Sequence, residues 1–407
     1  MMMRHQIQTS QASWRVRSRQ AGATLIELMV GVAIGLIVTL AIIGAVSTMN
    51  LQRRTTVSGN DAKENGQNAI AVIERVARLS GAGLFYNGQQ ICASLNAYRD
   101  GAVISNGGAL APVKIIDGGN TGSDKITFTY AEAPQGSSIS HVVDNMPNSS
   151  SNFVVNNRGA LAEGDLAIIG VPGSGRPCTL FQVTGFPPGG GNCNDITADC
   201  IKIQHNPGDS GPYNPPNPDH AFADSPRYGH ETAGGVIGPA VVSRIGALHI
   251  DTFEVLCNSL VSSEAGKVAS CTASPLGFTN AIPWVSNIVM LKAQYGITDS
   301  SDSDVVTSWV SATGPTWANP TPDVLPRIKA IRVAVVSRSP EPAATSVTSP
   351  CTNANGVANT GPCSFQDADS PVINLSNVPV PTGKTWRNYR YRVYHSVIPL
   401  RNVLWNY

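Results

Sequence analysis

The sequence predicts an α+β fold in which a long N-terminal transmembrane and amphipathic helix docks on a large β-rich globular domain. Three observations carry this reading. The longest apolar run lies near the N-terminus, no proline occurs before Pro112, and beyond Gly83 the apolar residues recur at every second position instead of every third and fourth. A chain of 407 residues can bury a large core, and at about 150 residues per domain two or three structural units are expected. Formal net charge is +1 and 14% of residues are charged, so no strong field draws the chain to nucleic acid, and no nucleic-acid partner is expected. The 39 glycines and 28 prolines belong to a protein of many turns between short strands.

Residues 1–22 carry Arg4, Arg15, Arg17 and Arg19 and no acidic residue, the pattern of a basic cytoplasmic leader. From Leu28 through Leu51 run 24 uncharged residues; at 1.5 Å each they make about 36 Å of helix, enough to cross a hydrocarbon core of about 30 Å. Residues 23–51 are therefore read as a single-pass transmembrane helix. Arg53 and Arg54 beyond it are outnumbered by the leader arginines, which places the C-terminal bulk outside the cytoplasm. Glu27 sits inside the apolar stretch, where a charge costs about 2.5–3.5 kcal/mol and calls for a partner. A cut between Gly22 and Ala23 would make Glu27 the fifth residue and set a new amine one helical turn from it. Gly31 and Gly35 form the small-xxx-small spacing that lets apolar helices approach closely.

In residues 52–83 the small and apolar positions Ala62, Gly66, Ala69, Ile73, Val76 and Ser80 recur at steps of four and three, so this part continues the helix with an amphipathic stripe. Ser80-Gly81-Ala82-Gly83 supplies its stop, and Gly44 and Gly59 are its weak points. Residues 84–407 form the extracytoplasmic β-rich domain, with a subdivision expected near 245. Strands are predicted at 125–130, 165–169, 178–183, 201–203, 247–255, 288–295, 327–336 and 388–396. The Pro/Gly/Asn-rich stretches 187–226 and 340–381 are read as long surface excursions open to other subunits or surfaces.

All eight cysteines lie beyond the apolar run, in an arrangement suited to disulfides in an oxidising compartment. Proximity suggests the pairs Cys193–Cys200, Cys257–Cys271 and Cys351–Cys363, leaving Cys92 with Cys178; buried free thiols are the other reading. Little else in the sequence resembles chemistry. Gly208-Asp209-Ser210-Gly211-Pro212 is similar to a serine-protease nucleophile loop but lacks its second glycine and a histidine motif. Asp299, Asp302 and Asp304 could offer oxygens to calcium, yet the sharp-turn glycine and closing glutamate of an EF-hand are missing. Cys193, Cys200 and His205 match no usual zinc spacing. Neither enzyme activity nor a cofactor is expected.

Gly22-Ala23-Thr24-Leu25-Ile26-Glu27 followed by the apolar run resembles the prepilin cleavage and N-methylation motif of type IV pilins and type II secretion pseudopilins. That resemblance implies cleavage after Gly22 by prepilin peptidase, methylation of Ala23, and pairing of Glu27 with a methylated terminus as the helix docks among other major and minor pilins. Ala23 departs from the Phe usual at this position. Tyr389-Arg390-Tyr391-Arg392-Val393-Tyr394, the ending Arg401-Asn402-Val403-Leu404-Trp405, Lys292-Ala293-Gln294-Tyr295-Gly296 and Glu64-Asn65-Gly66-Gln67 resemble PilW-like minor pilins, whose Asp-rich loop after the Tyr-Gly looks degenerate here. The implied role is a minor pilin needed for pilus assembly or priming, parked in the inner membrane and then carried into the extracellular pilus. Its bulk suggests a tip position. A tip adhesin that binds through its long loops, and a type II secretion pseudopilin, are the alternatives.

Overall fold

The computed structural model describes residue 22 and residues 24–86, 89–90, 92–132, 139–149, 152–187, 201–206, 211–224 and 226–404. It comprises two compact units, Met1–Val57 and Ser58–Tyr407. The helix Leu25–Ala77 contributes to both. With no proline to remove a backbone donor, the helix passes through Gly44 and Gly59 without a break. It ends where Gly81 and Gly83 adopt φ of +82° and +69°, a left-handed conformation that glycine enters without steric cost.

Within Ser58–Tyr407 three larger sheets are formed. One has six strands in the order Ala102–Ala109, Ser94–Arg99, Cys178–Gln182, Leu166–Gly170, Val241–Gly246, Ser140–His141. Another has five, Ile282–Ser286, Ser259–Glu264, Leu248–Leu256, Lys125–Ala131 and Val113–Ile116. The third runs Ser308–Val310, Ile288–Ile297, Ile328–Arg338, Tyr391–Pro399, antiparallel throughout. The main core joins Ala69, Ile73 and Ala77 of the helix to Phe128 and Phe253 of the five-stranded sheet and to Leu291, Tyr295, Ile331 and Val333 of the four-stranded one. The small-residue stripe read from the sequence is thus the face that enters the core.

Both central strands of the four-stranded sheet are buried along their whole length. One face meets the helix and the main core. The other is covered by the segment 340–381, whose Ile373, Leu375 and Val378 pack on Val289, Met290 and Val336. This corrects the expectation of a surface excursion there. Pro-, Asn- and Ser-rich sequence does lack long strands, but Cys351–Cys363 staples it and buried Asn353 and Asn359 bind its backbone. The result is a folded layer with little regular secondary structure.

Of the stretch 187–226, residues 188–200, 207–210 and 225 lie outside the described residues, and the rest is less free than its composition suggests. Asn214, buried, accepts from the Gln182 N–H at 2.9 Å and donates to the Gln182 carbonyl at 2.8 Å, while Phe222 is buried as well. The expected final strand, 388–396, is shifted to Tyr391–Pro399, because Thr385 and Asn388 form a reciprocal cap on the 3-10 turn Trp386–Asn388.

Candidate processing and assembly segment

The first helical turn shows how the motif residues are placed. Thr24 is the N-cap. Its hydroxyl accepts from the Glu27 N–H at 3.2 Å, and the Glu27 carboxylate accepts from the Thr24 N–H and hydroxyl, both at 3.3 Å. This is a capping box, in which each residue satisfies a donor that the start of a helix leaves unpaired. The Thr-x-x-Glu pattern was present in the sequence and gives Glu27 a second role that burial cost alone does not suggest. Gly22 is exposed; Ala23 lies outside the described residues.

From Leu25 to Asn50 the helix has a mean hydropathy of 2.7 and none of it is buried by protein. Glu27 is the sole ionisable group in this stretch. Thr48 donates its hydroxyl to the Gly44 carbonyl at 2.8 Å, and Thr39 does the same to Gly35, so these polar side chains are satisfied on their own helix. Gly31 and Gly35 have no other group within 4 Å of where a Cβ would stand. The surface is apolar, uncovered and smooth at Gly31-x-x-x-Gly35, which suits it to lipid or to other apolar helices.

In the Ser58–Tyr407 unit the helix is seated on the four-stranded sheet by specific contacts. Gly66 lies against the Tyr394 ring: a Cβ there would fall 2.2 Å from Tyr394 Cδ2. Ser337 donates to the Ala62 carbonyl at 2.6 Å, and Ser396 donates to Glu74, which also pairs with Arg78 at 3.3 Å. Asn402 closes the helix end, donating to the carbonyls of Arg78, Leu79 and Ser80 at 3.2, 3.3 and 3.0 Å. Orphan carbonyls at a helix C-terminus are thereby bound from a residue far along the chain.

The covered face of the same sheet holds a polar network that sequence reasoning missed. Lys292 donates to Asp124 at 2.8 Å and to the Gly119 carbonyl at 2.6 Å, while Asp124 also accepts from the Gly118 and Ala293 N–H groups at 2.9 and 2.8 Å. Burial pushes the Asp124 carboxyl above the ordinary carboxylate range, an effect that the Lys292 ammonium and the two amides offset only in part. Next to it Arg332 donates to Gln294 at 2.7 Å and makes a bidentate pair with Asp367 at 2.5 and 3.0 Å. Beside the Lys292–Asp124 pair opens a polar recess of about 170 Å³, lined among others by Asp117, Asn120, Gln294, Asp369 and Ser370. Alternation of Lys292 and Gln294 with Ala293 and Tyr295 marks the strand; their burial depends on partners from 17 to 173 residues distant, which spacing does not reveal.

The Asp-rich loop has its carboxylates engaged locally. Asp299 accepts from Thr307 at 2.8 Å, Asp302 from Ser301 at 3.2 Å, and Asp304 pairs with Lys329 at 3.1 Å. Among the described residues no His, Cys, Asp or Glu side chains converge in a set able to hold a metal. Disulfides join Cys92 to Cys178, Cys257 to Cys271 and Cys351 to Cys363. Cys193, Cys200 and Ser210 lie outside the described residues; His205 sits beside the Phe153 and Phe181 rings at 5.6 and 6.0 Å.

Two family models match the chain. Residues 17–44 match the prokaryotic N-terminal methylation motif, a span that contains Gly22, Ala23, Glu27, Gly31 and Gly35. Residues 259–402 match the type IV pilus-assembly protein W, a span that contains the four-stranded sheet, its cover and the helix-capping Asn402. No curated protein and no solved structure matches the chain. A prepilin methylation motif at the start of an uncovered apolar helix, together with a pilus-assembly protein W match over residues 259–402, makes this chain similar to PilW-like type IV minor pilins over those two spans.

Proposed function

We propose that this minor pilin is cut after Gly22, methylated on Ala23, and parked by its apolar helix in the inner membrane with the β-rich unit on the periplasmic side. It then enters a filament at or near the tip, where it primes or supports assembly; it performs no catalysis of its own. The observation that carries this reading is the uncovered helix Leu25–Asn50 with Glu27 as its one charge, because such a surface needs either lipid or a bundle of like helices. Bulk supports the tip position, since a unit running from Ser58 to Tyr407 makes a poor repeating element for a slim fibre. Mass spectrometry of the mature N-terminus, with and without prepilin peptidase, tests the processing step. Methylated Ala23 is expected only when the peptidase is present; an intact Met1 leader in both strains sinks the proposal. Counting copies per filament tests the position, and stoichiometric abundance along the fibre would exclude the tip.

A tip adhesin is favoured by one observation, the polar recess beside Lys292 and Asp124. Deleting residues 340–381 would not separate adhesion from assembly, because it would strip the cover from the sheet. Asp369→Asn and Asn120→Ala discriminate better: filaments that form but fail to adhere support the adhesin, and unchanged adhesion removes it.

A further inference from the structure

A strand at the edge of a sheet presents unpaired backbone donors and acceptors, and proteins either block such edges or use them. In the β-rich unit several edges are blocked. Ile282–Ser286 carries Pro283 as its second residue, the strand Val113–Ile116 has its Ile115 N–H taken by the Tyr295 hydroxyl at 2.6 Å, and Ser308–Val310 is three residues long. Tyr391–Pro399 is different. It is nine residues long, lies at the end of its sheet, and pairs with Ile328–Arg338 over its whole length without a register shift.

The ladder ends show which way its backbone points. Ser339 donates its N–H to the Arg390 carbonyl at 2.8 Å, and Leu400 donates to the Lys329 carbonyl at 2.9 Å, so the even-numbered residues of this strand face the neighbour. By alternation Tyr391, Val393, His395 and Val397 turn their N–H and C=O groups outward. Proline first interrupts the row at Pro399, the strand's last residue. The outer side is solvent-facing: Arg392 and His395 are exposed and Val397 is 54% exposed. Its charges in sequence are basic: after Asp369 the chain contains Lys384, Arg387, Arg390, Arg392 and Arg401 and no carboxylate side chain. Two acids beside the strand are already held, Glu74 by Ser396 and Arg78, and Asp367 by Arg332, which stands opposite Val397.

We propose that the free edge of Tyr391–Pro399 is a docking site for an extended, carboxylate-bearing segment of a partner protein, taken up as a fifth strand of the four-stranded sheet. The outward backbone groups supply the ladder, and the basic flank selects acidic side chains over basic ones. The site does not depend on where in a filament the chain stands.

The test uses the full-length chain in detergent micelles and residue-resolved amide exchange. In the free protein the amides of Val393, His395 and Val397 are expected to exchange much faster than those of Arg392, Tyr394 and Ser396. A synthetic eight-residue peptide alternating valine with glutamate should slow the first set, and a counterpart with lysine in place of glutamate should not. Val397→Pro removes an outward donor without touching the paired side, and Arg392→Glu inverts the charge; each should weaken peptide binding tenfold or more while the melting temperature stays put. Four outcomes overturn the proposal. They are outward amides already protected in the free chain, a glutamate peptide that protects nothing, a lysine peptide that protects equally, and a chain that self-associates until Val397→Pro makes it monomeric, which would name a second copy as the occupant. None of these results bears on whether Gly22 is cleaved.

Discussion

Lys292 and Asp124 illustrate what a buried charge pair does and does not contribute. Both side chains are almost wholly removed from water, at 5% and 2% exposure. Desolvating two charges cancels much of their attraction, so the pair as a whole adds little, yet removing one partner strands the other. Lys292→Met is therefore predicted to cost about 3–5 kcal/mol, while Lys292→Met with Asp124→Leu should recover most of that. Chemical denaturation of the two variants checks it; a double variant as unstable as the single one would show that the contacts to Gly118, Gly119 and Ala293 matter more than the charges. Asp367 behaves differently because it is half-exposed. Its bidentate bonds to Arg332 hold its carboxyl below the ordinary carboxylate range. A depressed folded-state pKa gives stability that is complete above the unfolded value, about 3.9, and is lost as pH falls through the folded value. Melting temperature should accordingly drop below about pH 4, and Asp367→Asn should flatten that part of the profile. An unchanged acid limb in the variant would remove Arg332–Asp367 as its source.

Gly66 shows how one residue can set the packing of two elements. Tyr394 of the last strand occupies the space that any side chain at 66 would need. In an open helix Gly→Ala stabilises by up to about 1 kcal/mol, but here the added methyl displaces an aromatic ring, an overpacking cost of about 1–3 kcal/mol. Gly66→Ala should thus lower the melting temperature, whereas Gly59→Ala, where nothing lies within 4 Å, should hold or raise it. Thermal melts of both variants decide the matter, and equal shifts would mean that the seat at Gly66 is loose. The stripe containing Gly66 was legible because helical spacing is local, and so were the strands at 125–130, 178–183, 288–295 and 327–336, each close to its observed limits. The cover at 340–381 was not. Its structure comes from asparagine side chains binding backbone and from three apolar residues on a sheet many positions away, and neither leaves a period in the sequence.

For the whole molecule, the two ends of the sequence spoke more clearly than its middle. The motif from Gly22 to Glu27 and the Tyr/Arg-rich close carry their identity in adjacent residues, while the recess beside Lys292 and the basic edge at Tyr391–Pro399 exist only once distant strands are brought together. The same division appears in the energetics. Among the described residues every helix position buried in the core, from Ala62 to Ala77, falls in the unit beginning at Ser58, and no residue of Leu25–Asn50 is buried. Stability measured by burial thus resides in the second unit, whereas insolubility in water resides in the first. A chain starting at Ser58 is predicted to be soluble without detergent, to keep all three described disulfides, and to melt within about 5 °C of the full-length protein, a shift corresponding to at most about 4 kcal/mol in a chain of this size. It should also be absent from filaments, having lost Glu27 and the apolar surface that other pilin helices would contact. Melting the fragment beside the full-length protein, and probing sheared filaments for it, checks both halves of the prediction. A fragment that unfolds far below the full-length protein would mean that the apolar half of the helix supports the β-rich unit, and a fragment found in filaments would move the assembly determinant from the helix to the sheet.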